Sequence, residues 1–253
     1  MGYKLISFDE VDSTNSAAKK LETLEERFTV LVAKEQTDGR GRLGRNWESA
    51  NGKGLWTSIV FETDQCVDQI ATITFVAANA VTALLRKTYG IQAKIKWPND
   101  IFVGEKKICG ILVESFVQGK RRIIVGIGLN TSQLNEDFSP ELEATSINIE
   151  LLKTDMSDQR FVFDPKDLLP DIFNAFESEL EVFMEECVSG CGSKTTIDNW
   201  LAHNMTIGQT VEFEFDGSKK TGEAVGVTPE GHLIINTADG SFIKVRSGEV
   251  VMV

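Results

Sequence analysis

Histidine is nearly absent: the 253 residues include only His203 and His232. Neither lies in a metal-ligand or triad pattern, so zinc hydrolases and serine or cysteine hydrolases lack parts here. Cysteine is sparse, with Cys66, Cys109, Cys187 and Cys191. Cys187-x3-Cys191 has no second pair to complete a metal site and reads as incidental, and Cys109 reads as a small core residue. The N-terminal MGYKLISFDE has neither the basic nor the apolar region of a secretory signal. No apolar run approaches the roughly 18 residues that a membrane span needs. These absences predict a cytoplasmic, reducing location and no membrane partner. Positive charge is also short. Lys and Arg total 26 against 38 Asp and Glu, a net charge of −12. A surface built for nucleic-acid phosphates is therefore not expected.

What remains is globular: 42% hydrophobic and 25% charged residues, enough chain for an ample core without disulfides or metal. Leu5–Asp9, Thr29–Lys34 and Gly54–Glu62 read as strands, and Ser16–Glu26 as a helix with Ala17, Leu21 and Leu24 on one face. Val67–Tyr89 carries the longest helical period and stops at Gly90. Ala93–Trp97, Ile101–Val103, Lys107–Gln118 and Arg122–Leu129 are strands joined by short turns, which implies an antiparallel meander. A further helix opens at Asp164-Pro165 and buries Leu168, Ile172, Phe173, Phe176, Leu180 and Phe183. From Gly208 onward, short alternating strands separated by Asp216-Gly217, Pro229-Glu230-Gly231 and Asp239-Gly240 predict a small β-barrel. The expected division is 1–203 and 204–253.

Basic charge is concentrated in one place, Gly39-Arg40-Gly41-Arg42-Leu43-Gly44-Arg45-Asn46-Trp47. Glycines allow close backbone approach, guanidinium forks suit phosphate, and an indole suits a base. The segment satisfies G-x-G-x-x-G, and Glu62 even stands about 20 residues on. No helical period follows the glycines, however, so a dinucleotide fold is rejected. No Walker loop or kinase motif exists. Lys96-Trp97-Pro98-Asn99-Asp100 forms a turn, with Lys107 close behind on a strand beside Gly110. The glycines of Gly126-Ile127-Gly128-Leu129-Asn130 mark a place where a ligand or another backbone comes near. Ser13-Thr14-Asn15 stands at a helix start, where it either caps the helix or holds a neutral polar ligand.

Taken together, Ser13–Asn15, Gln36 with Gly39–Trp47, Lys96–Asp100, Lys107–Glu114 and Gly126–Asn130 resemble the biotin–protein ligases, over nearly the whole chain. The resemblance implies an α+β catalytic domain, a mixed and largely antiparallel sheet with helices packed on it, followed by an SH3-like barrel. It implies biotin and ATP with Mg²⁺, no resident metal, and a biotin carboxyl carrier protein domain as partner. Carried over by position, Ser13, Thr14, Asn15 and Gln36 would line the ureido pocket. Gly39, Arg40, Gly41, Arg42 and Gly110 would join them around biotin. Arg40, Arg42 and Arg45 would meet the phosphates, Trp47 would stack on adenine, and Asn130 would bind it. Lys107 would contact the biotin carboxyl and the α-phosphate, and Asp100 would sit near the acceptor lysine. Glu249 matches a glutamate near the family's C-terminus.

There are departures. The chain begins at the catalytic domain, as monofunctional members do, so operator binding is not expected. Leu43 replaces a residue that is often basic, and Cys187–Thr195 resembles an insertion. Two other readings stand beside this one: a lipoate–protein ligase of the same fold, and a nucleic-acid-binding module using the Gly-Arg loop. Whether the chain works alone or as a homodimer stays open.

Overall fold

The computed structural model describes residues 2–64, 67–154, 164–189, 192–246, 248 and 250–253. Its main sheet has seven strands: β1 Lys4–Val11, β2 Thr29–Gln36, β3 Gly54–Glu62, β4 Lys94–Lys96, β5 Asp100–Val103, β6 Lys106–Gln118 and β7 Lys120–Asn130. They are ordered β1-β2-β3-β7-β6-β5-β4. Only β1 and β2 are parallel; β4 to β7 form the expected antiparallel meander. The α+β architecture with a largely antiparallel sheet is as the sequence implied.

One face of the sheet buries Leu55, Ile59, Ile111, Val125, Ile127 and Leu129 in a single large core. Against it pack α2 Ile73–Tyr89, α4 Leu169–Ser189 and α5 Lys194–His203. The helix α2 ends as the sequence predicts. Gly90 takes a left-handed conformation (φ 67°), and Ile91 N–H reaches back to the Leu85 carbonyl. Its expected first turns differ: Val67–Thr72 winds as a 3₁₀ segment broken at Gln69. In front of α4, Asp164 accepts a hydrogen bond from Lys166 N–H, and Pro165 starts the 3₁₀ turn, so the predicted cap is present. The six apolar residues expected to face inward are all buried.

The first helix, α1 Thr14–Lys19, is shorter than expected and lies on the opposite face of the sheet. Just beyond its end Arg122, 1% exposed, donates to the carbonyls of Leu21 and Glu22 and pairs with Glu62 at 2.9 Å. Two helices carry no sequence expectation, α3 Ile147–Leu152 and α5. Ser146 caps α3 by accepting from Ile149 N–H.

The C-terminal strands are β8 Thr210–Phe215, β9 Ser218–Val227, β10 Leu233–Thr237, β11 Phe242–Val245 and β12 Val250–Met252. They follow the predicted runs closely, but their order is β11-β10-β9-β8-β12. Among the described residues no ladder joins β11 to β12, so the expected barrel is an open five-stranded antiparallel sheet. Glu249 lies outside the described residues. This sheet is fastened to the body through Trp97. Its backbone N–H donates to Thr206 Oγ1 at 2.9 Å and its indole N–H to the Gly231 carbonyl at 3.0 Å. Nearby, Thr72 and Ser193 hydroxyls both donate to the Pro229 carbonyl.

Cys109 is fully buried, and burial pushes its thiol above the ordinary range. It is a core residue, as expected. Cys187 is disulfide-bonded, which overturns its reading as incidental; Cys66 and Cys191 lie outside the described residues. No helix is long and apolar enough to cross a membrane among the described residues.

Thr206→Val keeps the side-chain shape but leaves the buried Trp97 N–H without its acceptor. The expected cost is about 1–3 kcal/mol of unfolding free energy, read from urea denaturation. An unchanged midpoint would show that Trp97 does not hold the two sheets together.

Candidate active site

On the face of the sheet opposite the large core, β3, β7 and β6 place their alternate residues in rows. Register pairs Ser58 with Gly126 and Gly126 with Leu112; the next row is Trp56, Gly128 and Gly110. Three of these six positions lack a side chain. A Cβ on Gly126 would lie 2.3 Å from Asn15 Oδ1. One on Gly128 would lie 2.5 Å from Trp47 Nε1, and one on Gly110 would lie 2.9 Å from the same ring. The sequence reading that something comes close to these glycines holds, and the neighbours are the side chains of Asn15 and Trp47.

The cavity above this patch spans about 950 Å³ including its open mouth. Its inner end is polar and uncharged. Gln36 Oε1 accepts from Thr14 N–H at 2.8 Å, and Gln36 Nε2 donates to Ser49 Oγ at 2.8 Å. Ser58 Oγ lies 2.7 Å from Thr14 Oγ1 and 2.6 Å from Asn15 Oδ1. Ser13, Thr14, Asn15, Ser49 and Ser58 are all buried. A ligand end that enters here is small, neutral and able to exchange several hydrogen bonds.

The opposite side is cationic. Arg40, Arg42, Arg45 and Lys107 line the same cavity. The Gly39–Trp47 loop folds back on itself. Arg40 bridges Asn46, Gly41 N–H donates to the Arg45 carbonyl at 2.7 Å, and Trp47 N–H donates to the Gly39 carbonyl at 2.8 Å. At its tip Leu43 is 72% exposed and left-handed, φ 55°. Arg42 Nη1 donates to Asn99 Oδ1 at 3.1 Å and to the Gly248 carbonyl at 3.3 Å, and Val250 also lines the cavity. The C-terminal sheet therefore supplies one wall. Lys107 pairs with Asp100 at 2.8 Å, and its ammonium stands 5.0 Å from the Trp47 ring centroid.

The cavity thus gathers Ser13, Thr14, Asn15, Gln36, Arg40, Gly41, Arg42, Arg45, Trp47, Asp100, Lys107 and Gly110. Gly39 is buried just behind them, where a Cβ would meet the Trp47 carbonyl at 2.3 Å. The Trp47 ring rests on Gly110 and Gly128, meets Trp56 edge-on and has the Lys107 ammonium 5.0 Å from its centroid. Asn130 is buried outside the cavity, with its amide donating to the Thr145 carbonyl and accepting from Gln133. It braces the loop beyond β7. Ser49, Ser58 and Glu114 went unnoticed as site residues, since a lone serine or glutamate in a strand carries no signal until its partners are known.

Family comparison agrees with this geometry. The Biotin/lipoate A/B protein ligase family matches residues 7–130, and the Biotin protein ligase C terminal domain matches residues 206–253. The Bifunctional ligase/repressor BirA of Bacillus spizizenii is 31% identical over 253 residues, covering 99% of this chain and 74% of that protein. The chain belongs to the biotin–protein ligase family. The Biotin--[acetyl-CoA-carboxylase] ligase of Paracoccus denitrificans is 29% identical, covering 90% of this chain and 92% of that one. The Aquifex aeolicus biotin protein ligase, solved in complex with biotin and ATP, superposes with a TM-score of 0.76 at 29% identity over 98% of this chain and 97% of that one. As a member of this family the chain is a ligase.

Gly128→Ala should push Trp47 off the sheet, because the new methyl would stand within van der Waals contact of its indole nitrogen. Gly226→Ala meets nothing within 4 Å and serves as the control. The first change is expected to weaken ligand binding at least about tenfold, and the second to leave it unaltered, both by titration calorimetry. Equal affinities in the two variants would show that Trp47 is not held by the glycine patch.

Proposed function

We propose that the cavity condenses biotin with ATP to biotinyl-5′-AMP and then passes the biotinyl group to a lysine of a biotin carboxyl carrier protein domain. The observation that carries this reading is the union, in one cavity, of a neutral hydrogen-bonding end and a cationic side. A ureido ring is uncharged, donates twice through its N–H groups and accepts at its carbonyl, which suits Thr14, Asn15, Gln36 and Ser58. A lipoyl ring offers no donor, and these buried groups would lose water without a partner, at a cost of about 1–3 kcal/mol each. That observation favours biotin over lipoate. The Gly-Arg loop lines a cavity beside the neutral end, which also disfavours the nucleic-acid reading.

The first step follows from the charges. The biotin carboxylate and the ATP α-phosphate repel each other. Lys107 and Arg42 stand on the same side of the cavity and neutralise both as the carboxylate oxygen bonds to the α-phosphorus and pyrophosphate leaves. Arg40 and Arg45 add guanidinium forks for the remaining phosphates. A divalent cation supplies further charge neutralisation when it is bound. Among the described residues no group of three or more His, Cys, Asp or Glu could hold one, which fits a cation carried by the ATP phosphates, where one or two carboxylates suffice. In the second step the acceptor amine attacks the mixed anhydride, forming the amide and releasing AMP. The pairing of Asp100 with Lys107 in the same cavity supports a role for Asp100 in taking the amine's proton. We infer that residues 1–203 form the catalytic unit and 204–253 a second unit that completes its wall.

Biotin-dependent exchange of pyrophosphate into ATP tests the reading directly; exchange driven by lipoate and not by biotin would reverse it. Lys107→Ala is expected to slow adenylate formation by about 10²-fold or more while ATP affinity changes little, because its charge matters most in the transition state. Unchanged single-turnover rates would remove Lys107 from the mechanism. Arg42→Ala frees the loop from Asn99 and Gly248, so the adenylate should escape. Mass spectrometry of bystander protein would then find biotinylated lysines beyond the carrier, and labelling confined to the carrier, as with the unaltered protein, would contradict this.

A further inference from the structure

Glu114 does not line the main cavity; it lies on β6 beneath the outer side of the Gly-Arg loop. Its two carboxylate oxygens are divided between two donors. Oε1 pairs with Lys19 Nζ at 2.7 Å, and Oε2 accepts from Asn15 Nδ2 at 3.0 Å. Asn15 Nδ2 also donates to the Leu112 carbonyl at 3.3 Å. A carboxylate and a carbonyl only accept, so the Asn15 atom facing them is the amino group and both its protons are committed. The Asn15 carbonyl is thereby turned the other way. It accepts the single proton of Ser58 at 2.6 Å, which leaves Thr14's hydroxyl proton with Ser58 Oγ and Gln36 Oε1 as acceptors in reach. A carbonyl oxygen has two lone pairs and Ser58 uses one; Oδ1 lies over Gly126, where a Cβ would stand 2.3 Å away, and both residues line the cavity.

From this chain of donors and acceptors we infer that Glu114 is a positioning residue for substrate recognition. It holds the Asn15 amide so that an acceptor, and not a donor, faces the neutral end of the cavity, and so selects ligands with an N–H at that point. The inference rests on the biotin reading, since a ureido N–H is the matching donor. It is distinct from charge neutralisation by the arginines, because Glu114 does not line the main cavity.

The test exploits the asymmetry of an amide. In Glu114→Gln the single remaining oxygen goes to the Lys19 ammonium, the stronger, charge-assisted bond. The new amino group then faces Asn15, whose amide must turn round and present its own amino group to the ureido N–H. Biotin affinity and biotin KM should worsen at least about tenfold, with ATP KM and kcat at saturating biotin kept within about twofold. Asn15→Asp alone sets two carboxylates against each other and should also weaken biotin. The double variant Asn15→Asp with Glu114→Gln reverses donor and acceptor within the pair, still shows an oxygen to the cavity, and should recover most of the lost affinity. Each is measured by titration calorimetry with biotin and by biotin-dependent pyrophosphate exchange. Unchanged biotin KM in Glu114→Gln, or a double variant whose losses multiply, overturns the positioning role. Absence of biotin-dependent exchange in the unaltered protein would instead overturn the biotin reading itself.

Discussion

Everything at this site depends on a bare patch of sheet. Gly110, Gly126 and Gly128 leave a gap in the side chains on one face of β6 and β7, so that Asn15 and Trp47 lie directly on backbone. Glycine weakens a strand interior by roughly 0.5–1 kcal/mol per position. The alternate residues offset this. Ile111, Val125, Ile127 and Leu129 point to the other face and are almost wholly buried in the main core. The same strands therefore serve two needs, apolar on one side and vacant on the other, through the period-two alternation of the pleat.

On that patch the polar groups form a directed chain. One end is the Glu114 carboxylate and the other the Trp47 carbonyl, which accepts from Ser49 Oγ at 3.2 Å. Both ends only accept, so the orientation of the amides between them is not free. Buried polar networks are costly when half satisfied and specific when complete. Here the spare capacity points into the cavity, where a ligand completes it. Trp47 reaches both the uncharged inner end and the cationic side. Its backbone closes the polar chain, and its indole lies beside the Lys107 ammonium.

The parts of this design that are local in sequence were legible in it. The strand Gly54–Glu62, the left-handed stop at Gly90 and the Asp164-Pro165 start all follow from neighbouring residues. The clustering of Arg40, Arg42 and Arg45 also survives folding, because all three line one cavity. What was hidden depends on distant pairs. Arg122 holds the carbonyls just beyond α1 from about a hundred positions away, and Glu114 bonds Asn15 across 99 residues. No periodicity encodes such contacts. Barrel closure is equally non-local, since it depends on whether β11 and β12 meet. Asn130 stands at the end of β7, and its amide partners, Gln133 and Thr145, become evident only in the folded chain.

Arg42 is where the two sheets and the chemistry meet. Its guanidinium bonds a side chain of the catalytic body, Asn99, and a carbonyl of the C-terminal segment, Gly248. A phosphate or carboxylate is a strong partner for a guanidinium by virtue of its charge. An anion entering the cavity therefore competes for the same guanidinium that fastens loop to wall. The loop's backbone bonds are short-range, Gly41 N–H to the Arg45 carbonyl and Trp47 N–H to the Gly39 carbonyl. The Gly-Arg segment can thus re-aim its charges without disturbing the sheet beneath, because the sheet is anchored independently through Trp97 and the large core. A rigid floor that recognises the neutral part of the substrate, beneath a loop that answers to its charge, separates selection from activation within one cavity.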